Sequence, residues 1–248
     1  MNLYDYRGVL LLMSKLELTI LIPCLNEEDT IEECIKICQN FLNEYNINGE
    51  VLVIDNGSID NSYNLAVKSK ARVIKEKKRG YGNALLRGIK DARGEFIIMG
   101  DADCSYDFSA CYSFVECLRN GYDMVIGNRF KGGIEKGAMP FLHKYVGNPV
   151  LSFVGRMLFK IKIGDFHCGL RGFKTKKVRS LNLKCTGMDF ASEMIIKAHV
   201  NKFKMKEIPI ILYKDGRINC VSHLDTFKDG ILHLKTMLNM YRVLKMKK

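Results

Sequence analysis

Two aspartates, Asp101 and Asp103, stand one residue apart directly after the apolar run Phe96-Ile97-Ile98-Met99-Gly100. The run reads as a buried strand, and side chains two apart on extended chain point the same way. Both carboxylates therefore suit one hard divalent cation and the phosphates it carries. In an open α/β sheet, ligands sit in the crevice beyond the carboxyl ends of the strands. An isolated Asp-x-Asp is more often an ordinary surface turn, so its neighbours decide. The apolar segment 18–22 ends in Pro23-Cys24-Leu25-Asn26-Glu27-Glu28, and the segment 51–54 ends in Asp55-Asn56-Gly57-Ser58. A nucleotide needs partners for its base edge and ribose hydroxyls. Asp55 or Asn56 suits the base edge, and Glu27 suits a ribose or base. Arg79-Gly80-Tyr81-Gly82-Asn83 opens a helix. Glycines there allow close backbone approach and the helix amino end favours anions; a turn that only caps the helix is the alternative. Neither the G-x-x-x-x-G-K-[S/T] loop nor the G-x-G-x-x-G fingerprint is present.

Five apolar segments, 18–22, 51–54, 72–74, 95–100 and 123–126, read as strands. Between them, helices are expected over 27–45, after the capping residues Asp60 or Asn61, over 83–91 and over 108–118. Strands alternating with helices predict an α/β fold with a mostly parallel sheet covered on both faces. The second half differs. Residues 131–137 are rich in glycine and charge and read as a mobile loop. Helices are expected over 141–159, with Pro149 a kink or restart, and over 189–200, and a strand over 206–213. The segment 227–248 sets apolar residues among Lys235, Arg242, Lys245, Lys247 and Lys248. It reads as a basic amphipathic helix, which either lies in a lipid headgroup layer or packs on the core with a solvated outer face.

The chain has 248 residues, 47% hydrophobic and 27% charged, with a formal net charge of +12. The length suffices for a sizeable core. The charge implies an anionic partner, whether nucleic acid, a phosphorylated ligand or an acidic membrane surface. No basic motif interleaved with aromatics favours nucleic acid. The nine cysteines form no Cys-x-x-Cys pair and no zinc pattern, so reduced, buried thiols in the cytoplasm are the simplest account. Residues 8–13 are apolar but short for a signal peptide. No apolar stretch reaches the ~18–20 residues needed to span a bilayer.

Taken in order, these blocks resemble the family 2 glycosyltransferases of the GT-A fold. The match runs through Ile22-Pro23-Cys24-Leu25-Asn26-Glu27, then Val53-Ile54-Asp55-Asn56-Gly57-Ser58-Ile59-Asp60, Arg79-Gly80-Tyr81-Gly82 and Gly100-Asp101-Ala102-Asp103. Gly127-Asn128-Arg129-Phe130 and Asp165-Phe166-His167-Cys168-Gly169-Leu170-Arg171-Gly172-Phe173 look like the branch that includes dolichol-phosphate mannose synthase and bacterial polyprenyl-phosphate sugar transferases. The resemblance covers about residues 17–225. It implies a nucleotide-sugar donor carrying UDP or GDP. Pro23, Glu27, Ile54 and Asn56 would match base and ribose contacts, with Asp55 and Gly80 beside them. Asp101 and Asp103, with Ala102 between, would hold Mg²⁺ or Mn²⁺ and the diphosphate. Ser105 stands where some relatives carry a third ligand, a glutamine. Arg129 would match a phosphate-binding arginine, and Lys214 and Arg217 a late basic pair that closes over the donor.

Two acceptors fit such a chain. A lipid phosphate is already anionic near neutral pH and calls for cations, which Arg129, Lys131, Lys136, His143, Lys144 and Arg171 could supply. A glycan hydroxyl calls for a base, for which Asp165 and Asp189 are candidates, as bases or as orienting carboxylates. His167 is either packed or functional. The expectation is a metal-dependent inverting transferase acting on polyprenyl or dolichyl phosphate, peripheral at the cytoplasmic face of the membrane. Residues 1–225 would form the transferase domain and 226–248 a membrane-surface helix. A membrane-protein partner is another source of anchoring, and a homo-oligomer is a further expected association. The alternatives are a glycan-hydroxyl transferase and a non-catalytic basic membrane-binding protein.

Overall fold

The computed structural model describes residues 16–218 and 226–246. The apolar segment 8–13 and the terminal Lys247 and Lys248 lie outside the described residues. In chain order, β1 (Leu18–Cys24), α1 (Ile31–Glu44), β2 (Gly49–Asp55), α2 (Ser62–Lys68), β3 (Arg72–Lys75), α3 (Tyr81–Asp91) and β4 (Phe96–Met99) form the first half. A 3₁₀ turn over Phe108–Cys111 leads into α4 (Tyr112–Arg119) and β5 (Met124–Asn128). There follow α5 (Arg129–Gly132), β6 (Gly133–Ile134), α6 (Asn148–Phe159), β7 (Arg171–Lys174), α7 (Thr175–Ser180), α8 (Phe190–Val200), β8 (Met205–Leu212) and α9 (Thr226–Met246).

The strands make one eight-stranded sheet in the order β3-β2-β1-β4-β7-β5-β8-β6. β1 is buried along its length apart from half-buried Pro23, and β4 is buried throughout. Strands covered on both faces read as near-continuous apolar runs, which is why they were legible. Only β7 runs against its neighbours, pairing antiparallel with β4 and β5. No strand was expected at 171–174. The run Arg171-Gly172-Phe173-Lys174 has neither an apolar core nor a clean alternation, and its place is fixed by the open edge between β4 and β5. α1 buries Ile31, Cys34, Ile35, Cys38, Phe41 and Leu42 at helical spacing. At the start of α2 it is Asp60, not Asn61, that accepts from the Ser62 amide, at 3.0 Å.

The expected mobile loop at 131–137 is corrected. The Asn128 carboxamide caps α5 by accepting from the Lys131 amide at 2.9 Å, and β6 pairs with β8. The helix over 141–159 contains a π-helical turn at His143–Gly147, with Pro149 in the first turn of α6. Pro149 thus restarts the helix where its missing N–H does no harm. α9 packs on the body of the protein. Met237 is fully buried, the Thr236 hydroxyl donates to Asp189 at 2.8 Å, and Tyr241 meets Phe159 edge-on.

One helical face stands out against this packing. Leu142, Val146, Val150, Phe153 and Met157 are exposed at helical spacing, with Phe141 and Tyr145 beside them. The opposite face is also apolar and is seated on the core through Gly155, where an added Cβ would meet the Phe166 ring at 2.5 Å. A helix apolar all round is normally covered on all sides. Because Phe166 is fully buried and cannot move aside, Gly155→Val should destabilise the fold by about 1–3 kcal/mol through overpacking. Helix propensity alone favours the replacement, so a urea midpoint that rises instead of falling would show the interface to be loose.

Candidate active site

The polar turns after β1, β2 and β4 meet at one edge of the sheet, as their position after parallel strands requires. They enclose a cavity of about 350 Å³ lined by Pro23, Glu27, Asn56, Gly80, Tyr81, Asp101, Ala102, Asp103, Met188, Arg217 and Asp229, among others. A second cavity of about 430 Å³ shares Tyr81, Asp101, Asp103, Met188, Arg217 and Asp229 with the first and adds Ser105, Arg129, His143, His167, Arg171 and His233. The aspartate pair therefore stands where two chambers join.

Asp101 accepts from the Tyr81 hydroxyl at 2.9 Å. Burial and the neighbouring Asp103 charge push its carboxyl up to about 7. Room for the carboxylate depends on Gly169, whose Cβ would lie 2.7 Å from Asp101 Oδ2. Asp103 accepts from the Ser105 amide at 3.0 Å and sits 3.3 Å from Arg217 Nη1. Arg217 also grips Glu27, with Nε donating at 2.8 Å and Nη2 at 2.5 Å. The strap that carries it lies on the aspartate loop: Tyr213 N donates to Ser105 O at 3.0 Å and Gly216 N to Asp103 O at 2.8 Å. Among the described residues no group of three His, Cys, Asp or Glu forms a closed metal cage. Two crowded carboxylates, one held against ionisation, fit a hard cation whose remaining positions are taken by phosphate oxygens.

Several expected contacts are corrected. The Asn56 carboxamide uses both of its hydrogens within the protein, donating to Glu76 O and Lys78 O at 3.1 and 2.8 Å, and accepts from Gly80 N at 2.8 Å. It shapes the 76–80 turn, and at the cavity wall it keeps one oxygen lone pair to offer as an acceptor. Asp55 is buried, accepts from the Ser58 amide and does not line the cavity, and neither does the fully buried Ile54. The close approach at Gly80 and Gly82 is made by the protein's own backbone. A Cβ at either would lie 2.4 Å from Thr186 O or Cys185 O.

Asp165 is fully buried and holds Arg129 in a two-pronged pair, 2.7 Å from Nε and 2.8 Å from Nη2. It also accepts from the Arg129 and His167 amides. Such a carboxylate orients Arg129 and is no free base. Arg171 is fully buried too, donating to the carbonyls of Cys168, Ala191 and Phe166. It fixes the 166–171 turn and sets positive charge behind the second cavity. Lys131 pairs with Glu207 at 3.2 Å, and Lys214 runs past Gly137; neither lines either of these two cavities.

Tyr81, Met188, His233 and Asp229 were not foreseen. Tyr81 belongs to the Arg79-Gly80-Tyr81-Gly82 run, but its hydroxyl reaches an aspartate 20 residues away. His233 shares the buried face of α9 with Met237, a spacing readable only once the helix is known to pack.

The family model of glycosyl transferase family 2 matches residues 19–181. The chain belongs to that family. It is 38% identical over 223 residues to the low-salt glycan biosynthesis hexosyltransferase Agl6 of Haloferax volcanii, covering 89% of this chain and 53% of that one. It is 28% identical over 202 residues to a dolichol-phosphate mannosyltransferase of Pyrococcus furiosus, covering 78% and 56%. The chain thus spans about half the length of these two relatives. Glucosyl-3-phosphoglycerate synthase of Mycobacterium tuberculosis, solved with Mn²⁺, UDP and glucosyl-3-phosphoglycerate, has the same fold. The TM-score is 0.70 at 19% identity, over 90% of this chain and 79% of that one. The GT-A fold expected of the family 2 chain is the one observed.

Asp165→Asn separates an orienting carboxylate from a catalytic base. It should cost about 3–5 kcal/mol of stability by leaving Arg129 buried without its partner. A pure base would leave the urea midpoint in place. A pH series reads the two buried imidazoles. Burial lowers His167 well below its usual range and His233 to about 4. The unfolded chain takes up protons near pH 6.5 and the folded chain does so only lower. Their contribution to stability is therefore full above pH 6.5 and declines as the pH falls toward 4. His233→Gln should flatten part of that decline in the urea midpoint.

Proposed function

We propose that this chain is a metal-dependent inverting glycosyltransferase that moves a sugar from a UDP- or GDP-sugar to a polyprenyl or dolichyl phosphate. The observation that carries the reading is the junction of the two cavities at Asp101 and Asp103. A nucleoside in the first cavity would rest among Pro23, Glu27, Gly80 and Ala102, with its diphosphate at the aspartates. Mg²⁺ or Mn²⁺ held by Asp101 and Asp103, with Ser105 close by, would offset the charge that develops on the leaving diphosphate. Arg217 is positioned to contribute as well, since a diphosphate offers its guanidinium an anion other than Glu27 and Asp103.

The second cavity supports the acceptor. Arg129 keeps Nη1 outside its pair with Asp165. Together with Arg171 and Arg217 it makes a positive field suited to a phosphate that needs no deprotonation. The two carboxylates considered as bases are engaged, Asp165 by Arg129 and Asp189 by Thr236. The name of the Pyrococcus relative points the same way. A glycan-hydroxyl acceptor would instead require Asp215 or Asp229 of the cavity wall as base.

Among the described residues no helix is long and apolar enough to cross a membrane. Peripheral binding at an anionic bilayer surface is supported by the exposed stripe from Phe141 to Met157, flanked by Lys144, Arg156 and Lys160. Pro140, His143, Asn148 and Leu151 carry the same segment into the wall of the second cavity. A lipid phosphate would then enter from the bilayer side.

Incubation with Mn²⁺ and a panel of labelled UDP- and GDP-sugars, with and without dolichyl phosphate, tests the reaction. Label should pass to the lipid, and Asp229→Asn should retain that transfer. Transfer to glycan acceptors alone, abolished by Asp229→Asn, would contradict the lipid reading. In flotation with phosphatidylglycerol-rich vesicles, Phe153→Glu with Met157→Glu should weaken binding more than tenfold, since each apolar side chain contributes about 1.5–3 kcal/mol when buried. Binding unchanged by this pair would remove the stripe from the account.

A further inference from the structure

Among the described residues, one buried side-chain nitrogen or oxygen has no hydrogen-bond partner, Nδ1 of His167. Buried polar groups are nearly always satisfied, so an orphan asks for an absent partner. His167 lines the second cavity. Its backbone follows Asp165 and Phe166, whose positions are fixed by Arg129 and Arg171, so the ring has little freedom to seek another partner.

The other ring nitrogen is accounted for. His167 Nε2 lies 3.2 Å from Ser192 Oγ, and Ser192 Oγ lies 2.8 Å from His233 Nδ1. The two rings meet edge to face at 4.3 Å. A serine hydroxyl has one hydrogen, so it donates to one imidazole and accepts from the other. Burial and the nearby Arg129 and Arg171 keep His167 neutral, and burial keeps His233 neutral. The chain His167–Ser192–His233 therefore has two proton arrangements. In one, Nδ1 of His167 carries a hydrogen; in the other it presents a lone pair. A hydroxyl group, which donates and accepts, satisfies either.

We propose that Nδ1 of His167 is a specificity contact for a hydroxyl of the transferred sugar, with Ser192 and His233 as the positioning residues that hold the ring. The inference rests on the glycosyltransferase reading. A donor whose diphosphate sits at Asp101 and Asp103 places its sugar in the chamber that His167 lines.

Two variants separate the ring's two sides. Asn in place of His offers a polar atom near Nδ1, and Gln offers one near Nε2. With the donor that the panel identifies, His167→Gln should lose roughly tenfold in kcat/KM, the worth of one buried hydrogen bond, and His167→Asn should recover most of it. The opposite order would assign the ring to the Ser192 contact alone and overturn the proposal. In the wild-type protein with ¹⁵N-labelled histidine and Mg²⁺, UDP-glucose or GDP-mannose should shift the His167 Nδ1 resonance where UDP or GDP does not. A resonance indifferent to the sugar, with His167→Gln equal to wild type, would mean that only a buried water meets Nδ1. Absence of wild-type transfer from every donor would instead count against the transferase reading, and the resonance would still report whether a sugar reaches His167.

Discussion

Three carboxylates, Glu27, Asp101 and Asp103, converge beyond the ends of β1 and β4, and the rest of the site follows from holding that charge in place. Like charges removed from water resist ionisation. Here Asp101 is pushed up to about 7, and Arg217 reaches across to engage Glu27 and Asp103. The strap that carries Arg217 is hydrogen-bonded along the aspartate loop. Tyr81 and Gly169 hold and make room for Asp101. This excess of negative charge is what a divalent cation and a guanidinium would balance, and what a donor diphosphate would share.

The same edge of the sheet divides the labour. The parallel strands β1, β2 and β4 build the first chamber. The antiparallel β7 and the turn before it build the back of the second. That turn is stiff because Arg129 and Asp165 form a buried pair, and Arg171 is tied to three backbone carbonyls. Buried charges of this kind contribute little net stability, yet removal of one partner is costly. They fix cationic groups in the wall of the cavity that the aspartates also line. The stripe from Phe141 to Met157 continues from the second chamber to the surface, so chamber and exposed apolar face are parts of one helical segment.

Much of this was legible in the sequence. Strands buried on both faces announce themselves as apolar runs, and the turns that follow them must share an edge. Asp101, Asp103, Glu27 and Gly80 were found in that way. Identity of a residue type did not reveal whether its capacity was free. Asn56, Asp165 and Arg171 carry the right chemistry, but Asn56 is tied to the backbone of the 76–80 turn, Asp165 to Arg129 and Arg171 to three carbonyls, through partners up to 36 residues away. β7 was invisible because its place comes from tertiary pairing and not from local pattern. The stripe over 141–157 reads from sequence as ordinary helix, since a helix apolar all round looks the same whether its outer face is covered or bare. In α9 the two expectations meet, as one face packs on the body and Ile231, Leu234 and Leu238 face outward.

The central claim is that Asp101 and Asp103 form an incomplete cation site finished by a nucleotide diphosphate. Binding of cation and nucleotide must then be mutually favourable. Titration of Mn²⁺ by its electron paramagnetic resonance signal, with and without UDP or GDP, measures that coupling. The account predicts that one of the two nucleotides raises Mn²⁺ affinity at least tenfold in the wild-type protein and leaves Asp103→Asn unchanged. Mn²⁺ binding that ignores both nucleotides, or a coupling that survives in Asp103→Asn, would contradict it.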